Sequence, residues 1–255
     1  MAHIVSVVNQ KGGVGKSTTA MNLAAYLAHF GKFVLLVDLD PQGNASSGLG
    51  HAIADTLGTY EAMSGAHRVQ DLIVSTAHEG LFLLPAGPNL AGATVELVNE
   101  FNREQKLRQA LLEVRNDYDY IIIDNPPTLG MLTINGLVAA DSVLIPVQAE
   151  YYALEGLGQL MQTIGLVRQS MRPDLAIMGA VITMFDPRTK LSNQVLEELY
   201  KHFPEKIFRS VIPRSVRLAE APSFGKSILH YDPNSKAAKS YERLAREFLM
   251  REDVY

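Results

Sequence analysis

A short segment rich in glycine and lysine, residues 11–18, has residue types that could bind a chain of phosphates. It reads Lys-Gly-Gly-Val-Gly-Lys-Ser-Thr and lies between an apolar run, Ile4–Val8, and a helical pattern that starts near Ser17. Glycines let backbone N–H groups turn toward an anion without an intervening Cβ, and a helix N-terminus favours negative charge. We therefore predict a phosphate-binding loop in which Lys16 reaches the β- and γ-phosphates and the Ser17 hydroxyl binds Mg²⁺.

Two features of this loop depart from the common pattern G-x-x-x-x-G-K-[ST]. Position 10, where that pattern has glycine, is Gln10, and a second lysine, Lys11, stands early in the loop. Because Lys16 already serves the bound phosphates, Lys11 could contact the nucleotide of a facing subunit, as an arginine finger does in stabilising transition-state charge. The alternative is a loop lysine in water, and the residue types leave both readings open.

Acidic residues follow two of the apolar strand-like runs. The second run ends in Asp38-Leu39-Asp40-Pro41, and the fourth ends in Asp124-Asn125-Pro126-Pro127. An Asp directly after an apolar strand is typical of a carboxylate that holds Mg²⁺, which predicts that role for Asp124. A carboxylate at Asp40 would lie near the phosphates, where it could orient the attacking water. Turn-capping Asp residues are the alternative, most of all for Asp38.

The loop at residues 11–18 resembles the deviant Walker A loop of the ParA/MinD superfamily, in which the early lysine is the signature. The segments around Asp40 and Asp124, the segment after Pro146 and residues 212–226 follow in the family's order. The chain is therefore similar, over nearly its whole length, to the ParA/Soj chromosome and plasmid partition ATPases. In the D-x-D-P-Q motif of that family the second acid positions water, and this role falls on Asp40.

The resemblance implies an ATP hydrolase with ATP and Mg²⁺ as cofactors. It also implies that the purine lies against the loops after the last strands, and that Glu150 lies near the nucleotide or the dimer seam. The catalytic candidates are Lys11, Lys16 and Asp40, and the magnesium candidates are Ser17, Asp40 and Asp124. The nucleotide-binding candidates are Lys11, Gly12, Gly13, Val14, Gly15, Lys16, Ser17 and Thr18 in the loop, and Met184, Ile212, Pro213 and Arg214 at the adenine.

The charge distribution favours an anionic partner. The net charge of the chain is −4, yet residues 186–239 hold ten Lys and Arg against six Asp and Glu. Few aromatic residues lie there, so DNA binding would be led by phosphate contacts, independent of sequence and sensitive to salt. Ordinary solvated helix surface explains the same charges equally well. The candidates for nucleic-acid contact are Arg188, Lys190, Arg217 and Lys226.

The family resemblance implies a cycle that segregates DNA. A homodimer closes around ATP, binds double-stranded DNA non-specifically and opens after hydrolysis, and a ParB-type centromere-binding partner accelerates that step. One alternative is a MinD-like or cargo-positioning ATPase that uses a membrane or another protein as its matrix. A second alternative is a nucleotide-gated scaffold with negligible turnover.

Apolar runs and helical patterns alternate along the chain, which is typical of a doubly wound α/β fold. Several runs are continuously apolar, as expected for strands buried on both faces of a mainly parallel sheet. We predict a P-loop NTPase-type sheet of about seven or eight strands with helices on both faces, in one domain spanning 1–255. The predicted strands are His3–Asn9, Phe33–Asp38, Leu81–Leu84, Tyr120–Asp124, Ser142–Val147, Leu175–Thr183 and Lys206–Val211. The predicted helices are Lys16–Phe30, Ala91–Glu100, Arg103–Arg115, Leu129–Ala139, Ala153–Met171, Leu191–His202 and Asn234–Met250.

Composition excludes several classes of protein. The chain has no Cys, so it has no disulfide framework, no Cys-ligated zinc and no iron–sulfur cluster. Residues 1–20 lack a signal-peptide pattern and no run of about 18 apolar residues occurs, so we expect a cytoplasmic protein without a membrane span. The resemblance to the ParA/Soj ATPases implies that it associates with the nucleoid and not with a membrane. The amphipathic C-terminal helix ends in Arg251-Glu252-Asp253, and these acids favour packing on the sheet over binding to anionic lipid.

Overall fold

The computed structural model describes residues 1–54, 56–97, 100–150, 153–203 and 206–252. These ranges contain a seven-stranded sheet in the order β3-β4-β2-β5-β1-β6-β7, parallel throughout except for β3, which runs antiparallel to β4. The strands are β1 His3–Val7, β2 Val34–Asp38, β3 Val74–Ser75, β4 Leu81–Leu84, β5 Tyr120–Asp124, β6 Ser142–Gln148 and β7 Ala176–Thr183.

Helices cover both faces of this sheet. The longer helices are α1 Lys16–His29, α6 Lys106–Leu112, α7 Met131–Ala139, α8 Ala153–Ser170, α9 Lys190–His202 and α12 Lys236–Glu252. The short helices are α2 Asn44–Gly48, α3 Thr59–Ser64, α4 Val69–Leu72, α5 Ala93–Glu96, α10 Val216–Glu220 and α11 Ile228–Tyr231.

Side-chain alternation along the strands divides the core into two layers. On β5, Ile121 and Ile123 pack with α6, α7 and α8, whereas Ile122 packs with α1 and α12 on the other face. Successive side chains of a strand point to opposite faces, so a strand buried on both sides is apolar at every position. The predicted doubly wound, mainly parallel sheet is confirmed, and it places the ends of β1, β2 and β5 side by side.

The predicted strand Lys206–Val211 is wrong as a regular strand. This segment pairs with β7 at an isolated bridge between Ala180 and Ile207, and a second bridge, between Phe185 and Pro213, lies just beyond both segments. The N–H groups of Arg209 and Ser210 instead donate to the Glu247 carboxylate on α12, at 2.7 and 2.9 Å. A side chain from a distant helix therefore takes the donors that a continuous ladder would need.

Helix boundaries also differ from the predictions. The predicted helix Ala91–Glu100 is a 3₁₀ turn followed by the four-residue α5, and residues 98–99 lie outside the described ranges. The predicted helix Arg103–Arg115 likewise begins with a 3₁₀ turn and ends at Leu112. Helix α12 packs beside α1 over the sheet, as predicted, and buries Tyr241 and Phe248. In the described part of the chain, no helix has the length and apolar character needed to cross a membrane.

Candidate nucleotide and magnesium site

The loop between β1 and α1 adopts a conformation that exposes backbone amides at a helix start. Gly13 and Gly15 have φ of 73° and 85°, in the left-handed region that side chains disfavour. Gly15 is the N-cap of α1. The loop is held from outside by Thr183 at the end of β7, whose hydroxyl donates to the Val14 carbonyl at 2.7 Å. The result is a preformed anion site at the N-terminus of a 14-residue helix.

Lys16 lies in this loop with only 6% of its surface exposed. Its ammonium donates to the Lys11 carbonyl at 3.1 Å. Burial lowers the pKa of Lys16, and the carboxylates of Asp124 and Asp40 oppose that shift. A buried cation that donates to a single neutral carbonyl has remaining donors for a phosphate.

Asp124 ends β5 opposite Asp38 of β2, because the two residues are register partners in the parallel ladder. Both carboxylate oxygens of Asp124 are buried and accept no hydrogen bond. Burial and the Asp38 carboxylate raise the pKa of Asp124 well above its usual range, and nearby Ser17 opposes the shift without forming a hydrogen bond of standard geometry. An orphaned carboxylate beside a serine hydroxyl fits the oxygen ligands that Mg²⁺ prefers.

The described residues contain no group of three His, Asp or Glu side chains arranged to hold a metal by themselves. Magnesium usually keeps several waters and binds through one or two carboxylates together with substrate phosphates. Asp124 and Ser17 have the oxygen atoms from which such a site is built, and they lie close to each other.

The two acids after β2 have different surroundings. Asp38 is fully buried and accepts from the Ser46 N–H at 2.8 Å and the Ser46 hydroxyl at 2.7 Å. Burial raises the pKa of Asp38 to about 6, although these hydrogen bonds oppose the shift. Asp40 lines the open cavity, and its Oδ1 accepts from the Gln42 N–H at 3.0 Å. Asp38 is therefore an anchor for the turn, whereas Asp40 faces the space where phosphates would lie.

Two cavities meet at the phosphate-binding loop. The first, of about 410 Å³, is lined by the loop and by Asp40. The second, of about 370 Å³, is mainly apolar and lies beside it. The two share wall residues on the loop, at Met184 and on α10, and are therefore adjacent parts of one site. The shared wall consists of Gly15, Thr18, Met184, Leu218 and Ala219.

The apolar cavity is built at the end of β7. Met184 has φ of 52°, an uncommon conformation for a residue with a side chain, and it follows the last residue of that strand. The Ile212 N–H donates to the Ile182 carbonyl at 2.8 Å, and the Arg214 N–H donates to the Phe185 carbonyl at 3.2 Å. These bonds hold residues 212–214 along the strand end. An apolar slot that opens onto a phosphate site has the shape and polarity that suit a purine.

Comparison with known proteins agrees with this geometry. A family model described as an AAA domain matches residues 2–177. The chain is 53% identical over 253 residues to the chromosome partitioning protein ParA of Myxococcus xanthus, covering 99% of this chain and 89% of the relative. It is 54% identical over 248 residues to the sporulation initiation inhibitor protein Soj of Bacillus subtilis, covering 97% and 98%. This chain belongs to the ParA/Soj family of chromosome-partitioning ATPases.

A solved structure extends the likeness to the bound state. The cobyrinic acid a,c-diamide synthase of Mycobacterium smegmatis, with bound ATP analog and magnesium, superposes with a TM-score of 0.88. It is 37% identical and covers 99% of this chain and 96% of its own. The fold that this ParA/Soj-family chain shares with it therefore accommodates both a nucleotide and magnesium.

Lys11, the early lysine of the ParA/MinD loop, does not line the phosphate cavity. It lines a separate open groove together with Pro127 and Leu129. Its ammonium lies 3.1 Å from the Glu150 carboxylate, and its side chain is 36% exposed. Arg214 approaches the same carboxylate at 3.8 Å. Lys11 thus points out of its own nucleotide site, next to the Glu150 that we expected near the nucleotide or the dimer seam.

The four cations expected at DNA are exposed, but two of them are paired with acids. Arg188 donates to Asp186 through Nε at 2.9 Å and Nη2 at 2.7 Å. Its guanidinium lowers the pKa of Asp186 to about 2. Arg217 lies 3.0 Å from Glu220. The exposed remainder comprises Lys190 and Lys226.

Val14, predicted to bind nucleotide, has a buried side chain and lines neither cavity. Its contribution is a backbone contact, because its carbonyl accepts from the Thr183 hydroxyl.

Several other residues of the site were not found from the sequence. Thr183 and the Tyr241 ring at the apolar cavity come from distant segments with no recognisable pattern. Ser46 had one available signal, a small hydroxyl residue a few positions after the Asp40-Pro41 turn.

Proposed function

We propose that this chain is a Mg²⁺-dependent ATPase that closes around ATP with a second copy, binds duplex DNA non-specifically in that state and partitions chromosomes or plasmids. The main support is the buried Asp124 carboxylate at the end of β5, whose oxygens accept no hydrogen bond of standard geometry and which lies near Lys16 and Ser17 at the start of α1. Buried polar groups are nearly always satisfied, so a buried carboxylate with free acceptor positions beside the phosphate-binding loop favours a bound cation there.

In the proposed complex the phosphates occupy the loop cavity and the adenine occupies the apolar cavity beside Met184 and residues 212–214. Ser17 and Asp124 would hold magnesium, which when bound neutralises charge on the phosphate oxygens. Lys16 exchanges its bond to the Lys11 carbonyl for a phosphate oxygen. The loop amides and the α1 N-terminus supply further donors without reorganisation.

The outward direction of Lys11 supports closure of two copies face to face. An ammonium that lies in a groove outside its own site could reach the nucleotide of a facing chain. To do so it would leave Glu150, a partly exposed ion pair whose loss costs little. The contact would stabilise transition-state charge in the partner's site and would connect hydrolysis to the dimeric state.

Asp40 is the residue that we assign to the attacking water. Its carboxylate faces the phosphate cavity and is fixed at Oδ1 by the Gln42 N–H. The Asp38 anchor holds the start of this turn, since the Asp40 N–H donates to the Asp38 carboxylate at 3.2 Å. After hydrolysis the charge between the two chains changes, the dimer opens and DNA is released.

DNA binding would depend on closure because each chain offers few free cations. Arg188 and Arg217 are paired with acids, so a single chain presents Lys190 and Lys226 with little else from the predicted set. Two chains joined by ATP double the number of phosphate contacts, and avidity raises affinity steeply. Arg188 and Arg217 would add to this surface by exchanging their carboxylates for phosphates. A ParB-type partner would accelerate hydrolysis, and the complex would reside on the nucleoid.

The deciding experiment uses Asp40→Ala, which should retain nucleotide binding but hydrolyse ATP slowly. With ATP and magnesium we expect light scattering to report a dimer, and we expect retention of random duplex DNA that falls steeply with salt. The same variant with ADP should be monomeric and should not retain DNA. Replacing both Arg188 and Arg217 with Glu should weaken DNA retention without changing the dimer.

Two results would contradict the proposal. A monomer at saturating ATP and magnesium would remove the dimer, and rapid turnover by Asp40→Ala would remove the role of Asp40. Vesicles of anionic lipid, tested in parallel with DNA, distinguish a matrix of membrane from one of nucleic acid. Binding to the vesicles but not to DNA would exclude DNA as the matrix.

A further inference from the structure

The residue after the magnesium candidate, Asn125, is fully buried at the end of β5. Its side-chain amide nitrogen lies 2.8 Å from the Ser6 hydroxyl and 2.9 Å from the Val7 carbonyl on β1, and 3.3 Å from the Ile123 carbonyl. With the amide flipped, its oxygen would face two carbonyl oxygens, so the acceptors fix which atom is the donor. Asn125 thus adds a side-chain link between β5 and β1 where the ladder ends.

The other end of this amide faces helix α7. The Asn125 Oδ1 is buried and accepts no hydrogen bond. A Cβ placed on Gly136 of α7 would lie 2.0 Å from that oxygen and 3.0 Å from the Asn125 Cγ. Any residue with a side chain would therefore collide with Asn125, although glycine disfavours a helix interior. The absence of a side chain at Gly136 therefore allows α7 to pack directly against the Asn125 side chain.

Asn125 and Asp124 point to opposite faces of the sheet, as neighbours on a strand do. Asn125 faces α7, whereas Asp124 faces Lys16 and Ser17 on α1. The Asp124 oxygens accept no hydrogen bond of standard geometry, although Ser17 and Lys16 lie near them. Their direction therefore depends on the backbone of β5, and the Asn125 amide ties that backbone to β1, the strand that leads into the phosphate-binding loop.

We propose that Asn125 is a positioning residue for the magnesium-binding carboxylate of Asp124, and that Gly136 is its required complement on α7. The inference rests on the proposed nucleotide site and deepens it. By linking β5 to β1, Asn125 holds Asp124 at a fixed separation from Ser17, the two groups that would bind one ion. Contacts outside the ligand set orient the ligands and commonly change metal affinity by about 10- to 100-fold.

The pairing is tested first without nucleotide, by urea unfolding of Asn125→Ala, Gly136→Ala and the double variant. Gly136→Ala should lower the unfolding midpoint in the natural background, because the new methyl group meets the Asn125 oxygen. In the Asn125→Ala background the same change should lower the midpoint much less or raise it, because alanine favours the helix and only the flexible Leu39 methyl group, 3.3 Å away, remains close. Additive shifts of one sign would overturn the pairing.

The positioning role is tested by the magnesium concentration that half-saturates binding of a fluorescent ATP analogue. Asn125→Ala should raise that concentration about tenfold while leaving the affinity measured without magnesium nearly unchanged. Asn125→Ser keeps one donor and should raise the half-saturating magnesium concentration less. This variant is used in place of Asn125→Ala if the alanine variant does not fold.

Asn135→Ala is the matched control. Asn135 is also a buried asparagine with three hydrogen bonds, but they join it to Leu107, to Arg103 and to Met131 of α7 itself, and none reaches β1 or β5. Its loss should lower the unfolding midpoint and leave the magnesium midpoint unchanged.

An unchanged magnesium midpoint in Asn125→Ala and Asn125→Ser overturns the positioning role, and so does an equal shift in Asn135→Ala. Natural protein whose nucleotide affinity does not respond to magnesium would overturn the proposed function, and the magnesium role of Asn125 with it. The unfolding experiment separates the cases, because it reports on the contact between Asn125 and Gly136 in the absence of any ligand.

Discussion

Two cavities lie at opposite ends of helix α1 and have similar sizes but different chemistry. The one at the N-terminal end, about 410 Å³, holds Lys16 and the glycine loop. The one at the C-terminal end, about 550 Å³, is lined by His29, His78 and His230. The His78 and His230 rings are stacked, with centroids 3.7 Å apart and planes 17° from parallel.

The buried ionisable groups of the two cavities have different surroundings. At the N-terminal end, Lys16 and Asp124 are buried close together with bonding capacity left over. At the C-terminal end, burial lowers the pKa of His78 to about 4, and nearby His230 and His29 add to that shift, so the ring is neutral near pH 7. A buried ring that is neutral needs no counter-charge from a ligand. Unsatisfied buried groups, rather than volume, therefore identify the ligand site.

The largest effect that we expect comes from the lysines of the two cavities. Lys16→Ala should weaken ATP binding by about 100-fold or more, because a desolvated cation on the phosphates contributes about 2–5 kcal/mol. Lys32→Ala, in the histidine cavity, should leave ATP affinity within about twofold, since that cavity lies at the end of α1 opposite the phosphate-binding loop. Isothermal titration with ATP and magnesium measures both.

The comparison would fail in either of two ways. Near-natural ATP affinity in Lys16→Ala would show that the loop is not the phosphate cradle. A large loss in Lys32→Ala would show that the histidine cavity takes part in nucleotide binding. Circular dichroism of both variants excludes unfolding as the cause.

A smaller effect separates the cavities by pH. The pKa of His78 is about 4 in the folded chain and about 6.5 when unfolded, so the unfolded chain binds more protons between those values. Stability is therefore fully present above about pH 6.5 and falls as the pH falls toward 4. Allowing for partial solvation of the pocket, we expect a loss of about 1–2 kcal/mol. His29, Lys32, Glu79 and His230 line the cavity around the ring, and Lys226 acts on His230, so their charges also contribute.

Urea unfolding at about pH 7.5 and about pH 5 measures this loss. His78→Gln should reduce the difference between the two pH values, because the variant has no proton to gain at that position. His67→Gln, at an exposed histidine, is the control and should leave the difference as it is. An unchanged difference in His78→Gln would show that the stacked ring titrates as it does in water.

The sequence predicted those parts of the site that are local in the chain. The loop at residues 11–18 is one contiguous segment, and the resemblance to the ParA/MinD loop depends on its eight residues alone. The acids after β2 and β5 were placed at one sheet edge because parallel strands end together. Only the structure shows that Asp38 and Asp124 are register partners, because neither strand's sequence indicates which residues pair.

Long-range contacts explain what the sequence did not predict. The strand predicted at Lys206–Val211 fails because Glu247, on a helix almost forty residues later, binds its N–H groups. The contact between Asn125 and Gly136 has a similar origin, because a glycine in a helix shows no partner until the helix is packed. Propensity and periodicity describe neighbours in sequence, whereas these contacts join neighbours in space.

The smallest effect that we expect uses two glycines at the two ends of α1. Gly15 and Gly31 have nearly equal φ, 85° and 82°, and a Cβ on either would meet no atom closer than 3.8 Å. Alanine should therefore destabilise the chain by a similar amount at each, about 1 kcal/mol of left-handed strain. Only Gly15→Ala places a methyl group in the phosphate loop, so it alone should weaken ATP binding, by about tenfold.

Thermal unfolding of the two variants measures the cost of backbone strain. ATP titration measures the separate effect of a methyl group in the phosphate-binding loop. Equal losses of stability with unequal losses of affinity would mean that the helix ends differ through what approaches them. Equal losses of ATP affinity would mean that backbone strain at either end of α1 changes the conformation of the phosphate-binding loop. The two ends of α1 would then not differ in their effect on nucleotide binding. A Cβ has room at both glycines. A larger loss of stability in Gly15→Ala would therefore come from a weaker hydrogen bond between the Thr183 hydroxyl and the Val14 carbonyl, which holds the loop.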